Sequence, residues 1–355
     1  DIKINGTRPW DFQVHNEETY GRAFKNGSIG FGEAYMDGWW DAEQLDVFFS
    51  KLLSAKIDKK IRDNKWLLLH LLKEKLSNQQ SKSRSHEVAV KHYDLGNDLY
   101  SEMLDKRMVY TCAYWKNAKT LEEAQEAKLD LVCRKLGLKK GMKVLDIGFG
   151  FGGFAKYAAE KYGVSVDGVT VSKEQLKYAE EACKGLPVKF YLKDYRDIEG
   201  TYDRIVSIGM FEAVGTKNFR IFMKVCYDHL VDHGLFLLHT IGCNERGNHT
   251  EPWINKYIFP NGEIPGMATT AKSFEDLFVV EDWHNFGIYY HKTLLAWWAN
   301  FDKGWSRLKD KYGERFYRMW KYYLLCCAGS FRARKNQLWQ IVLSKNGIPG
   351  GYDPV

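Results

Sequence analysis

No CxxC pair and no regular cysteine spacing occurs in this 355-residue sequence, and its seven cysteines (Cys112, Cys133, Cys183, Cys226, Cys243, Cys326, Cys327) are odd in number. That argues against a zinc ribbon or a disulfide scaffold, and for a reducing, cytoplasmic setting with no metal site. No apolar run of about 18 residues or more is present, and the sequence as given, which begins at Asp1, shows no charged-then-apolar leader, so a soluble protein is expected. There is no internal repeat. The G-x-G-x-x-G dinucleotide fingerprint is missing, as is any NPPY- or DPPY-type tetrapeptide.

What is present is a composition of 45% hydrophobic and 15% aromatic residues, enough for one large domain or a large domain with a smaller partner. A net charge of +7 favours an anionic partner, either nucleic acid or an acidic membrane surface, although many ordinary basic enzymes carry as much. The sharpest change in composition is the polar, Ser-rich "LSNQQSKSRSHE". It divides the chain into a small domain over residues 1–76, a linker over 77–87 and a large domain over 88–355.

In the small domain, Leu45, Phe48, Phe49, Leu52, Leu53 and Ile57 recur at helical spacing, and Asp41 with Gln44 resembles a capping box. Lys56, Lys59, Lys60, Arg62 and Lys65 then precede Trp66 and a leucine-rich segment too short to span a bilayer. Two readings stand: an interfacial contact with anionic lipid, or a helix packed on its own domain with solvated lysines. In the large domain, "KVLDI", "VSVDGVT", "PVKFYL", "RIVSIG" and "GLFLLHTI" alternate with helix-like stretches, the βαβ rhythm of a doubly wound parallel sheet. "LFVVEDWHNF" and "QLWQIVLSK" add two strands, while "KTLLAWWANF" and "RFYRMWKYYLLCCAGSFR" read as aromatic-rich helices.

"VLDIGFGFGGFA" follows the first strand and opens a helix. Its glycines Gly148, Gly150, Gly152 and Gly153 let the backbone approach a ligand closely, with Asp146 just before them. A tight turn without ligand is the plain reading. The D-x-G-x-G pattern resembles the class I methyltransferases, a Rossmann-like α/β fold that binds S-adenosylmethionine (AdoMet). On that resemblance Thr170 and Gln175 hold ribose hydroxyls, Asp194 meets the adenine amino group and Tyr195 is an apolar wall. Ser172 and Gln175 also satisfy a capping box, so Gln175 has a second reading.

The segments "YMDGWW", "KHYDLGNDLY", "YTCAYW", "LDIGFGFGGFA", "GVTVSKEQ", "IVSIGMFEAVG", "LLHTIG", "WINKYIFPNG", "EDWHNFG" and "CAGSFRAR" occur in this order. Together they resemble the cyclopropane-fatty-acyl-phospholipid synthases, relatives of the mycolic acid cyclopropane synthases, over nearly the whole chain. The resemblance implies that a methylene from AdoMet is added across a cis double bond of a phospholipid acyl chain, with bound bicarbonate taking the released proton. Cys112, Glu212, His239, Ile241 and Tyr290 match the bicarbonate ligands, and Cys112 then belongs to an anion pocket rather than acting as a nucleophile. Tyr110 and Thr111 match positions that touch AdoMet, and Cys327 matches a cysteine regarded as an active-site residue of the family. A helix-buried cysteine is also commonly inert.

A charged glutamate beside bicarbonate would repel it in a low-dielectric site, so Glu212 is expected to be protonated or offset by His239. The alternative is that Glu212 itself is the base. His239 also reads as a satisfied core histidine, and Tyr290 as core packing or as a ring that stabilises a cation. Phe149 and Phe151 stand where the family often has Cys and Trp, and Ala213 replaces the usual histidine of its "FEHVG". Trp253, Tyr257 and Phe259 are expected in an acyl tunnel. Family members form homodimers, and the partners implied are an unsaturated phospholipid and an anionic membrane surface on which a cytoplasmic protein sits peripherally. Nucleic acid is not expected. The competing readings are a methyltransferase acting on a small amphipathic molecule, and a lipid-binding module without catalysis.

Overall fold

The computed structural model describes residues 1–55, 96–245 and 248–355. The expected boundary at 76, the linker over 77–87 and the basic run from Lys56 to Trp66 lie outside these residues.

In chain order the helices and the strands of the large sheet are α1 (Glu18–Met36), α2 (Leu45–Ser54), α3 (Asn97–Met103), α4 (Leu121–Lys135), β1 (Lys143–Ile147), α5 (Gly153–Tyr162), β2 (Ser165–Thr170), α6 (Lys173–Ala182), β3 (Val188–Leu192), β4 (Tyr202–Ile208), α7 (Phe219–His229), β5 (Leu230–Gly242), α8 (Pro252–Tyr257), α9 (Met267–Phe274), β6 (Val279–Asn285), α10 (Ile288–Tyr312), α11 (Glu314–Arg332) and β7 (Gln337–Ser344). The strand order is 3-2-1-4-5-7-6, with β1 to β5 parallel and β7 antiparallel to both of its neighbours.

The central strands are apolar on both faces because helices cover both. Val144, Val166, Val206, Leu235 and Val342 point into a core with α4 and α5, whereas Leu145, Ile205, Phe236 and Ile341 point into one with α7 and α9. Neighbouring residues on a strand therefore serve opposite cores, as the period of two requires. Every residue of β7 is buried.

A third, aromatic core joins α1, α2, α3, α8, α10 and α11. Trp40 stacks on Phe31 with centroids 4.3 Å apart, and Phe49 meets Tyr322 edge-on at 5.2 Å. The N-terminal residues thus share one core with the C-terminal helices. Asp41 does not cap α2: its Oδ2 accepts from Arg318 Nη2 at 3.0 Å, and Gln44 occupies the N-cap without a side-chain bond. The arginine also donates to the carbonyls of Tyr35 and Trp40, a stronger claim on the carboxylate than one backbone N–H.

Helices α2 and α11 approach so closely that a Cβ on Gly329 would lie 2.6 Å from Phe49 Cβ and 2.7 Å from the Asp46 carbonyl oxygen. Gly329→Val is expected to cost about 1–3 kcal/mol by overpacking, read as a lower midpoint in urea. An unchanged midpoint would contradict this packing.

Candidate active site

In an open parallel sheet the ligand crevice lies beyond the carboxyl ends of the strands, where the strand order reverses. Here that place is between β1 and β4. After β1 the chain turns through Gly148 at φ +80° and Gly150 at φ +57°, conformations that side-chain-bearing residues rarely adopt. At Gly148 space adds to the constraint, since a Cβ would lie 2.7 Å from Met210. Gly152 sits at the N-cap of α5, and Gly153 opens the helix.

A cavity of about 1080 Å³ opens in front of this loop. Of the residues expected from the sequence, Tyr110, Thr111, Asp146, Gly148, Gly150, Gly153, Thr170, Gln175, Asp194, Tyr195, Glu212, Ile241, Tyr290 and Cys327 line it. Phe149 and Phe151, the replacements in the loop, line it too, as does Ala213, so the place of the family histidine faces the cavity. Cys112, His239 and Gly152 do not line its wall. Cys112 is fully buried, donates to the Ala113 carbonyl at 3.4 Å, and has its thiol pKa pushed up by burial. Such a thiol stays protonated and is no nucleophile. Its neighbour Ala113 donates its N–H to Thr293 Oγ1 at 3.1 Å, and Trp115 Nε1 donates to the same oxygen at 3.0 Å, pinning the segment to α10.

Of the three expected tunnel residues, only Phe259 lines the cavity. Trp253 is buried against Tyr322, with centroids 4.4 Å apart, and the Tyr257 hydroxyl donates to Glu33 Oε1 at 2.7 Å. The apolar wall instead includes Phe31, Phe49, Leu52 and Leu53 from α1 and α2. Nothing in the sequence pattern separates these positions from ordinary core.

The polar groups have distinct states. Glu212, in the turn after β4, accepts from the Ile241 N–H at 2.6 Å through Oε1, while its Oε2 is sealed from solvent without a partner among the described residues. Burial raises this carboxyl to about 7. His239 is buried with Nδ1 3.3 Å from Gln340 Nε2, and burial lowers its pKa so that the ring is neutral. Of the two expectations for Glu212, protonation is therefore favoured over an offsetting imidazolium. Asp146 is also raised by burial, to about 7, and its Oδ2 is sealed without a partner.

Elsewhere on the wall, Asp194 holds Arg196 through both oxygens, at 2.6 and 2.7 Å, so its carboxylate is already committed to an ion pair. Thr170 Oγ1 donates to Gln175 Oε1 at 3.1 Å. Ser172 caps α6 by accepting from the Gln175 N–H at 3.3 Å, but the glutamine side chain reaches Thr170 instead of completing a capping box. The Tyr110 and Tyr323 hydroxyls lie 2.7 Å apart.

Sequence reasoning missed Lys128, which lines the cavity and donates to Thr111 Oγ1 at 2.9 Å, and Gln125, whose amide donates to the Thr111 carbonyl at 2.9 Å. A signal existed. Leu121, Ala124, Gln125, Lys128 and Val132 form one buried stripe of α4, and a lysine on an apolar stripe is seldom there by default.

Residues 79–341 match the protein family described as mycolic acid cyclopropane synthetase. The chain belongs to the mycolic acid cyclopropane synthetase family. A cyclopropane-fatty-acyl-phospholipid synthase of Escherichia coli strain K12 is 52% identical to this synthetase-family chain over 350 residues, 99% of this chain and 91% of that protein. Among solved structures, mycolic acid cyclopropane synthase CmaA1 complexed with SAH and CTAB is 31% identical, with a TM-score of 0.68 over 73% of this chain and 98% of that one. Coclaurine N-methyltransferase, bound to N-methylheliamine and SAH, is 21% identical with a TM-score of 0.76 over 89% of this chain and 99% of that one, a likeness of fold alone. The fold of this family member is that of the AdoMet-dependent methyltransferases.

The raised Glu212 carboxyl has a consequence for stability. Between about pH 4.5, the ordinary glutamate value, and about pH 7 the folded protein keeps a proton that the unfolded chain releases. The folded state therefore loses stability as pH rises through this window, by on the order of 3 kcal/mol. Glu212→Gln, which cannot ionise, is expected to melt above the wild type at pH 8 and level with it near pH 4.5. Equal melting temperatures at both pH values would contradict the assignment.

Proposed function

We propose that this chain is an AdoMet-dependent cyclopropane-fatty-acyl-phospholipid synthase, adding a methylene to the cis double bond of an unsaturated acyl chain in a membrane phospholipid. One observation carries the reading: a single cavity is lined by the glycine loop, by an apolar, aromatic wall and by a sealed, half-paired glutamate. The names of the 52% identical synthase and of the solved relative with SAH and the amphiphile CTAB support it.

AdoMet, when bound, supplies an electrophilic methyl group that the alkene takes, and one proton of that methyl is lost as the ring closes. The glycine loop fits such a cofactor, because a Cβ on Gly150 would stand in open space with nothing within 4 Å, and Asp146 Oδ2 is without a partner among the described residues. An isolated alkene is a poor nucleophile, so this chain's contribution is to hold it in line, worth on the order of 7–11 kcal/mol. Phe31, Phe49, Phe259 and Tyr290 keep water from a carbocation-like species that water would trap. Tyr290, stacked on Phe331 with centroids 4.5 Å apart, offers a ring face rather than a base.

Bicarbonate is the proton acceptor in this reading. Glu212 Oε2, on the cavity wall and sealed without a partner among the described residues, is the group that would hold it, and His239 Nε2, likewise without a partner there, lies behind that wall. A protonated Glu212 donates to an anion instead of repelling it, and neutral His239 keeps the pocket from accumulating charge. The Ile241 N–H is already given to Glu212, so an anion would share that donor. Cys112 contributes packing behind the wall.

Drawing an acyl chain of ~16 carbons from the bilayer costs roughly 13 kcal/mol at ~0.8 kcal/mol per methylene, so the chain slides into the cavity while the protein stays docked. On α1, Phe24 is 87% exposed and Tyr20 lies one turn before it, an apolar pair suited to an anionic membrane surface. No helix among the described residues is long and apolar enough to cross a membrane.

The test is to incubate the protein with AdoMet and vesicles of an anionic, cis-monounsaturated phospholipid, then analyse the acyl chains by mass spectrometry and proton NMR. A gain of about 14 Da, the mass of one CH2, with loss of vinyl protons and new upfield ring protons is expected. Glu212→Gln retaining near wild-type turnover would exclude Glu212 as the base. An unchanged lipid with AdoMet bound would overturn the proposal in favour of a small-molecule methyltransferase.

A further inference from the structure

Lys128 is the charged group for which the proposed reaction has no use. Its side chain projects from α4, is fully buried and lines the cavity beside Thr111, Asp146 and Gly148. An ammonium has three N–H donors, and one acceptor is seen, Thr111 Oγ1 at 2.9 Å. Two carboxylates attract it from a distance without pairing directly. Asp105 spends its oxygens on the backbone N–H groups of Val109 and Arg107, each at 2.9 Å, and Asp146 keeps Oδ2 sealed and unpartnered. Burial lowers the lysine to about 8 while those carboxylates oppose the shift.

A buried cation without a direct counter-ion, next to a buried carboxylate without a donor, is costly to fold unless something completes both. The object that does so carries a carboxylate and an ammonium a few bonds apart. The amino-acid tail of AdoMet is such a zwitterion, and the glycine loop places it on this wall. Building on the AdoMet reading above, we propose that Lys128 is the counter-charge for the AdoMet carboxylate, with Thr111 beside it and Asp146 Oδ2 taking the ammonium. Lys128 acts as a positioning residue: by anchoring the tail it fixes where the sulfonium methyl points. The nearby Gln125, which holds the Thr111 carbonyl, sets the strand of chain against which that tail lies.

Isothermal titration of S-adenosylhomocysteine, which keeps the tail, and of 5′-methylthioadenosine, which lacks it, into wild type and Lys128→Met tests this. The variant is expected to bind S-adenosylhomocysteine on the order of thirtyfold more weakly and 5′-methylthioadenosine as the wild type does. Equal losses for both ligands would make Lys128 merely structural and overturn the proposal, as would no loss for either. Should Lys128→Met fail to fold, wild type alone decides, by comparing S-adenosylhomocysteine with its decarboxylated analogue: equal affinities overturn the proposal, and a loss on the order of thirtyfold supports it. Wild type that binds none of these ligands overturns the AdoMet reading along with it.

Discussion

Glu212, Asp146, His239 and Lys128 are ionisable groups removed from water near the carboxyl ends of the central strands, and their mutual balance is what the rest of the site depends on. Burial pushes the two carboxyls up and the two bases down, so each group moves toward its neutral form. Glu212 and His239 thereby bring little fixed charge to the pocket, which suits an apolar chain that must enter it, while Lys128, lowered only to about 8, keeps its proton near neutral pH. The pocket also leaves donors and acceptors open, and their cost is borne by the packing around them. The aromatic core joining α1 and α2 to α10 and α11 is the largest of the three and lies directly behind this chamber.

That arrangement gives the N-terminal residues a part in the site. Phe31, Phe49, Leu52 and Leu53 form cavity wall, and Gly329 permits α2 to sit against α11 closely enough to put them there. The salt links made by Arg318 to Asp41, and by Lys256 to Glu33 at 2.6 Å, hold the same elements together from the rim. The wall that contacts substrate in our reading is thus assembled from both ends of the chain.

Much of this was legible in the sequence. Strands such as "KVLDI" and "QLWQIVLSK" are apolar throughout because both their faces are covered, and the glycine loop announced itself by a backbone requirement that only glycine meets. The insertion of β7 between β5 and β6 was not legible, since local pattern says nothing of which strands pair. Cys112 and His239 carry the right chemistry but sit behind the wall, a matter of which way a residue faces that its type does not encode. Asp194 was matched to an adenine contact, yet Arg196, two residues on, holds both of its oxygens. Asp41 likewise went to a distant arginine instead of a nearby helix end. For Asp41 a partner 277 residues away outweighed the local helix end, whereas for Asp194 the competing partner is a near neighbour in the chain. Lys128 and Gln125 were visible as polar breaks in an apolar stripe.

The central claim is that cofactor and acyl chain meet in one continuous, dry chamber. A crystal structure with S-adenosylhomocysteine and a long-chain amphiphile tests it most directly. The account predicts the adenosyl group over Gly148 to Gly153 and the amphiphile's chain in the same cavity, against Phe31, Phe49 and Tyr290, with no ordered water between sulfur and chain. An amphiphile bound elsewhere, or a layer of water separating the two, would contradict it.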